Sequence, residues 1–383
     1  MSEKSPLFEA IDKGEVDLAI SLLRTEDDAQ EKDASGMSTL SAAAYRGLLP
    51  VVQRCLDLNC DVNDQTNETR YTPLMFAALS GRADVCKVLM DHGAKLYTVN
   101  SIGKTASELA AFIGHHECVS VINNHITLEE IEKFLRPANG DIEAEKYPDE
   151  LAEFIHLLCS SHEIHPVKMV FRLSKYKDSM KYKKKILYVV DRVFERQLRC
   201  KEGNEVMSLK LWIVLFVLRE ILKFIELHTE LSQEEATLQY GKTILQWNCG
   251  DQVRAPLDIV LRNAVASFPY KHSLLHDTLN KGLDKSKIGQ RPAAFDFIVQ
   301  ALFGERILAV SQFCSVCGVV NAKKRCPRCK LNYCSADCQK FDWEGHKKVC
   351  RALSAHPPAT STTDNSLSIE QLQEHIGGVC IGE

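Results

Sequence analysis

Eight residues between positions 314 and 350 are of the types that ligate a soft divalent metal: Cys314, Cys317, Cys326, Cys329, Cys334, Cys338, His346 and Cys350. Written as spacings they read C-x2-C-x8-C-x2-C-x4-C-x3-C-x7-H-x3-C. Zinc takes thiolate and imidazole ligands in fours, and eight such residues make two complete sets. The C-x2-C steps suit a tight knuckle. The C-x3-C and H-x3-C steps set two ligands four residues apart, on one face of a helical turn. A zinc ion with all four positions filled by protein has no place for water or substrate, so the chemistry indicated is structural rather than catalytic. Spacing alone permits the eight to pair sequentially or interleaved. Seven of the chain's 15 cysteines fall in this stretch, and the remaining eight are scattered. That distribution reads as reduced thiols of the cytosol or nucleus plus a metal module, not as a disulfide framework.

The pattern resembles the MYND-type zinc finger at every ligand position. The resemblance implies a cross-brace, with Cys314, Cys317, Cys334 and Cys338 on one Zn2+ and Cys326, Cys329, His346 and Cys350 on the other. It also implies a protein-binding module that takes short proline-containing peptides beside the second zinc. The family uses a glutamine just after the fourth cysteine of the first site and a tryptophan four residues later, here Gln339 and Trp343. A half-exposed tryptophan suits proline stacking, and a glutamine suits hydrogen bonds to a peptide backbone. MYND fingers also accompany SET methyltransferases and iron-dependent prolyl hydroxylases. The chain has neither an Asn-His-Ser-Cys stretch nor any His-x-Asp among its 13 histidines, and no catalytic constellation is found.

The finger carries eight lysines and arginines against three acids (Asp337, Asp342 and Glu344), a surplus of five positive charges that points toward nucleic acid. Seven thiolates and two dications lower that surplus by three, to about two, once the metal is counted. The basic residues are then largely compensation for electron-rich sulfur. No direct nucleic-acid contact is expected, because no helix bears several base-reading side chains.

A repeat occupies the first third of the chain. Gly14, Gly47, Gly81 and Gly114 recur at steps of 33 and 34, and Leu7, Leu40 and Leu74 stand seven residues before the first three. The fullest unit runs from Tyr71-Thr-Pro-Leu-Met to Gly81, then Val85, Val88, Leu89, Gly93 and Ala94. This looks like the ankyrin repeat, of period 33, over residues 5–125 in about four units. Each unit is then two antiparallel helices, with the glycine ending the first in a left-handed turn. Alanines at 42–44, 77–78 and 110–111 are small enough for close stacking. The resemblance implies a concave face that binds a client protein.

Residues 126–310 read as helical. Thr127 with Glu130 forms a capping box, and Asn139-Gly140 marks a turn. Helical spacing then returns from Leu151, through Ile186–Phe194 and Leu209–Leu227, and over Ala255–Ala266 and Phe295–Val310. Leu211–Leu218 is the most apolar run, but eight residues fall short of the ~20 of a membrane span, so it reads as a buried helix. His156, Cys159, His162 and His165 stand at a step of three, which drifts around a helix, and are taken as ordinary surface or core positions. Arg172–Arg196 holds nine basic residues, either a solvated helix face or a site for an acidic partner or lipid. Gly241-Lys-Thr243 lacks the upstream glycine of a phosphate loop, since residue 236 is alanine.

With 45% apolar and 26% charged residues and a net charge of −4, the 383-residue chain has the composition of an ordinary soluble globular protein, and its repeats and helical spacings make it mainly α. MSEKSPLFEA lacks a signal-peptide core, and residues 352–383 read as a disordered tail with a short helix near Ile369–His375. Cys380 stands four from the end, but Gly382 and Glu383 do not suit prenylation. Ankyrin repeats, a helical middle and a single finger (314–350) follow the order of the ankyrin-repeat and MYND-domain-containing proteins. That resemblance implies a non-enzymatic adaptor, cytoplasmic and cilium-associated, that helps membrane signalling proteins such as nucleotide cyclases reach the primary cilium. The alternative is a nuclear transcriptional cofactor that recruits repressor complexes through the finger.

Overall fold

The structure, a computed structural model, describes residues 5–136, 147–199, 204–247, 251–303, 313–319 and 322–355. The Asn139-Gly140 turn, the expected helix beyond Phe303 and the tail from 356 lie outside the described residues. The chain divides into two units, one built on Met1–Glu130, the other on Ile131–Arg199, Ser208–Leu302 and the finger.

In the first unit the repeat becomes paired helices: α1 (Pro6–Lys13) with α2 (Val16–Leu22), and, after a short α3 (Glu26–Ala29), α4 (Thr39–Arg46) with α5 (Leu49–Asp57). Two further pairs follow, α6 (Pro73–Leu79) with α7 (Ala83–Asp91) and α8 (Ala106–Ile113) with α9 (His116–Asn123). The first helices of the pairs stack in one row and the second helices in another. Each first helix starts on a hydroxyl one repeat from the last, Ser5, Ser38, Thr72 and Thr105, whose oxygen accepts a backbone N–H of the opening turn. Thr105 and Glu108 form a full capping box.

The four glycines take φ of +73°, +76°, +74° and +95°, the left-handed turn expected of them. At Gly81 a second constraint operates, since a Cβ there would meet the His115 ring of the next repeat at 2.8 Å. Ala42–Ala44, Ala77, Ala78 and Ala110 are buried between neighbouring helices, but Ala111 faces solvent, because no further repeat stacks on that side of α8. A continuous apolar core runs from Leu7 to Ile122. Asp33, Asn67 and Asn100, again one repeat apart, each accept backbone N–H groups with a side-chain oxygen and so shape the exposed turns.

The second unit is helical as expected. Leu128–Leu135 forms α10, and Thr127 accepts the Glu130 N–H at 3.2 Å. After it come α11 (Asp149–Ser160), α12 (Pro166–Lys175), α13 (Lys183–Arg199), α14 (Glu205–Leu227), α15 (Gln233–Ile244), α16 (Ala255–Ala266), α17 (Leu274–Lys285) and α18 (Ala294–Phe303). The finger adds a two-stranded antiparallel hairpin, β1 (Lys324–Arg325) and β2 (Asn332–Tyr333), and α19 (Ala336–Ala355). The apolar run is buried in α14, with Leu211, Ile213, Leu215 and Val217 all at 0% exposure. Among the described residues no helix is long and apolar enough to cross a membrane.

Of the step-of-three residues, Cys159 is buried in α11 and His165 caps α12 just before Pro166. The basic run is mostly paired within its own unit, as Arg172 with Glu163, Lys177 with Glu234, Lys183 with Glu226 and Arg192 with Asp191. Gly241 lies in the last turns of α15, packed against Phe341.

One core residue contradicts the expectation that buried charge is paired. Lys210 on α14 is fully buried, and among the described residues its Nζ has no hydrogen-bond partner. Burial pushes its ammonium down to about 7 from 10.5. The unfolded lysine therefore holds a proton that the folded one releases, and stability rises as pH climbs from about 7 to 10.5. Lys210→Met is expected to stabilise the chain by about 2 kcal/mol at pH 7 and to abolish that alkaline rise. Denaturant melts of both chains at pH 7 and pH 10 check this; equal stability at pH 7 would remove the explanation.

Candidate metal centre and binding faces

The finger grows from local chain geometry. Between β1 and β2 the chain folds into a knuckle, where Lys330 takes φ +62° and its N–H reaches the Cys326 carbonyl at 3.0 Å. The Ser335 hydroxyl then accepts the Cys338 N–H at 3.1 Å, which caps α19. Along α19, Cys338, Asp342, His346 and Cys350 follow at steps of four and so share one face. The fold interleaves the ligands. Cys314, Cys317, Cys334 and Cys338 gather in one group and Cys326, Cys329, His346 and Cys350 in the other, with all ligand atoms of a group within 4.8 Å of one another. This is the cross-brace that the family resemblance implied and that spacing left open.

The distances fit zinc. A tetrahedral ion with Zn–S near 2.3 Å and Zn–N near 2.0 Å sets sulfurs about 3.8 Å apart and sulfur about 3.5 Å from nitrogen. Cys317 lies 3.5 Å from Cys334 and 3.8 Å from Cys338, sulfur to sulfur. Cys326 and Cys350 are 3.8 Å apart, and Cys329 Sγ lies 3.6 Å from His346 Nε2. A disulfide at about 2.05 Å is a different geometry. The thiol electrostatics agree: hydrogen bonding from Cys317 and then Cys338 holds Cys314 far below the usual thiol range, while the same contact drives Cys317 far above it. The two groups are thus structural Zn2+ sites, in which the metal fixes the fold and leaves no open coordination position.

The second group is braced by a buried relay. With Nε2 turned to the metal position, His346 Nδ1 lies 3.3 Å from Tyr333 Oη, and the Tyr333 hydroxyl donates to Asp342 Oδ2 at 2.8 Å. Burial holds His346 below its usual pKa, which keeps the imidazole in the neutral form a metal needs. Asp342 in turn receives Arg254 at 2.8 Å, and the two side chains are only 1% and 3% exposed. Arg254 precedes α16 in the helical region. It also donates to the carbonyls of Ser315 (3.0 Å) and Leu245, and its guanidinium lies 4.6 Å from the Trp247 ring centre. Outer partners of this kind orient a metal-bound histidine and raise its basicity.

Arg254 is one point of a longer seam between finger and helical region. Phe341 packs edge-on to Phe171 of α12 at 4.9 Å, in the space left by the missing side chain of Gly241. At Gly318, φ +71°, a Cβ would run into Phe295 at 2.7 Å and His165 at 2.9 Å, so only glycine lets the first knuckle close on the helices. Lys242 meets Glu344 at 3.1 Å. Sequence reasoning missed Arg254, Asp342, Tyr333 and Gly318. Asp342 stands four residues before His346, a visible spacing, whereas nothing local marks Arg254.

The two residues expected to hold a peptide sit away from this seam. Trp343 is 48% exposed, and its ring lies 5.9 Å from that of His346 at a tilt of 32°. Gln339, one turn earlier, is half-buried. The tryptophan is therefore not filler in a small core. It is an exposed ring beside the second metal group.

On the repeats, the first-helix row carries Asp12, Tyr45, Leu79 and Phe112 two places before each glycine, and of these Tyr45 and Phe112 are exposed while Asp12 and Leu79 are part-buried. Tyr45 and Phe112 are 42% and 88% exposed, with Ile113 at 50% beside the latter. Asp12 is bound by Arg46 at 2.9 Å. Exposed aromatic rings thus stand on α4 and α8 of this row. The sequence carried this signal at the repeat period, but no period distinguishes an exposed ring from a buried one.

Comparison with known proteins agrees with this geometry. The family model for ankyrin repeats (3 copies) matches residues 40–131, and that for the MYND finger matches residues 314–350. Dauer abnormal formation protein 25 of Caenorhabditis elegans is 64% identical over 378 residues, 98% of this chain and 97% of that protein. The probable E3 ubiquitin-protein ligase XBOS31 of Oryza sativa subsp. japonica is 33% identical over 125 residues, 32% of this chain and 28% of that protein. Ubiquitin carboxyl-terminal hydrolase 19 of Arabidopsis thaliana is 58% identical over 42 residues, 10% of this chain and 6% of that protein. The last two matches cover too little of either chain to say what the whole protein does. Ankyrin repeats and MYND fingers bind proteins, which makes this a chain of two protein-interaction modules.

Proposed function

The chain belongs to the family of ankyrin-repeat and MYND-type zinc finger domain-containing proteins, and from that premise we propose that it is a non-enzymatic adaptor holding two different proteins. In this reading the first-helix face of the repeats holds a client, and Gln339 with Trp343 holds a proline-containing peptide of a second protein. One observation carries the reading: α19 turns its metal ligands and Asp342 inward while Trp343 stays 48% exposed beside the second metal group. The metal serves to hold a binding surface in shape. The exposed Tyr45 and Phe112 support a second, separate surface on the repeats.

The finer reading follows the family resemblance. The client is a membrane signalling protein such as a nucleotide cyclase, and the adaptor assists its delivery to the primary cilium from the cytoplasm. Localising the endogenous protein in ciliated cells tests this against the nuclear cofactor. The expected result is a cytoplasmic protein with a ciliary pool, whose depletion lowers cyclase in the cilium. Steady retention on chromatin with normal ciliary cyclase would contradict it and favour the cofactor.

A further inference from the structure

The peptide platform continues beyond the tryptophan. Gln339, Trp343, Lys347 and Arg351 follow one another at steps of four along α19 and so form a single row on its surface. Trp343, Lys347 and Arg351 are all exposed, as is Lys340 beside them. Among the described residues no carboxylate lies within ion-pair distance of Lys340, Lys347 or Arg351. Two of the three finger acids are engaged by the helical region, although Glu344 also lies in the field of Lys347 and Lys348. Arg254 holds Asp342 in the interior, and Lys242 holds Glu344 at 3.1 Å. Those two cations come from outside the finger, so docking leaves its free surface more positive than its own residues and two Zn2+ would make it. Among the described residues, Asp337 alone remains as an exposed finger acid without an ion pair.

The row has a natural ruler. Four residues of α-helix advance about 6 Å, and an extended polyproline-like peptide advances about 3.1 Å per residue, so each step of the row matches about two peptide residues. We propose that the finger selects proline-containing peptides that carry acidic side chains about two and about four residues from the stacked proline, over Lys347 and Arg351. This rests on the peptide-binding reading of Gln339 and Trp343 given above. The amide and the indole engage peptide backbone and proline ring, and the two cations then set which neighbouring residues are preferred. Rim charges of this sort act on selection and encounter more than on gross affinity.

The test is to pan two peptide libraries on the zinc-loaded full-length chain. One has a fixed central proline and random flanks, and the other has alanine at the centre. The expected result is enrichment of proline-centred peptides, with Asp or Glu favoured about threefold at each of the two positions on one side. The variant Lys347→Glu with Arg351→Glu, checked for unchanged zinc content, should switch that preference to Lys or Arg. Trp343→Ala should abolish selection for proline. Proline-centred peptides enriched without any acidic preference would overturn the proposal and leave the peptide site standing. Equal behaviour of the two libraries, with no acidic preference, would overturn both. Acidic peptides enriched regardless of proline and displaced equally by duplex DNA would mean bulk attraction of polyanions, which also overturns it.

Discussion

Chelating zinc from the full-length chain unfolds the finger and leaves the ankyrin array folded. Structural zinc supplies on the order of 10–16 kcal/mol of apparent folding free energy in finger peptides. A segment below ~40 residues has too little apolar surface to replace that. Without the metal, seven thiols and an imidazole are packed at 3.5–3.8 Å with nothing to share their charge. The array has its own core from Leu7 to Ile122, which includes none of the metal ligands. The helical region stands between these outcomes, because losing the finger uncovers Arg254, Phe171 and Phe295. Hydrogen exchange should show protection lost first along α19, reduced in α12, α15 and α16, and unchanged in α4, α6 and α8. Protection of α19 that survives full removal of zinc would refute the metal's role. Loss of the array in the same step would refute its independence.

Arg254→Met is the second large effect. Removing one partner of a buried ion pair costs about 3–5 kcal/mol, because the remaining charge stays in a low-dielectric site. Here the residue left behind is Asp342, 1% exposed, with only the Tyr333 hydroxyl at 2.8 Å and the His346 ring nearby among the described residues. The same change loosens the support of His346, and outer partners of a metal ligand typically contribute 10–100-fold to affinity. The variant should therefore lose stability in the second unit and release the second zinc at about tenfold lower chelator concentration, with the first zinc retained. Arg254→Met with Asp342→Leu removes both charges and should recover much of the stability but not the zinc affinity. A single variant as stable as the parent, with both zinc ions equally held, would show that the pair is dispensable.

What could be read from residue order follows from which interactions are local. The zinc ligands, the four glycines and the hydroxyls at Ser5, Ser38, Thr72 and Thr105 repeat at fixed steps, and a fixed step is a property of the chain itself. Ala255–Ala266 was legible for a related reason: an apolar face at helical spacing follows a proline. The Arg254–Asp342 pair spans 88 residues, and no local pattern distinguishes that arginine from any other. The charge of the finger was misleading in the same way. Counted along the chain, Asp342 and Glu344 belong to the finger's surface, yet in the fold both are neutralised from outside it. The spacing of Gln339, Trp343, Lys347 and Arg351 was present in the sequence, but their exposure is set by which side of α19 the helical region covers.

Two binding faces that act separately are the centre of this account, and comparing partners captured by three forms of the full-length chain tests it most directly. The forms are the parent, Trp343→Ala, and Tyr45→Ala with Phe112→Ala, all changes of exposed side chains, each checked for the parent's zinc content and folding. The expected result is that Trp343→Ala loses one set of proteins, those with proline-containing segments, while the array variant loses a different set. Both sets are retained by the parent. Loss of the same partners from both variants, or of none from either, would contradict the account.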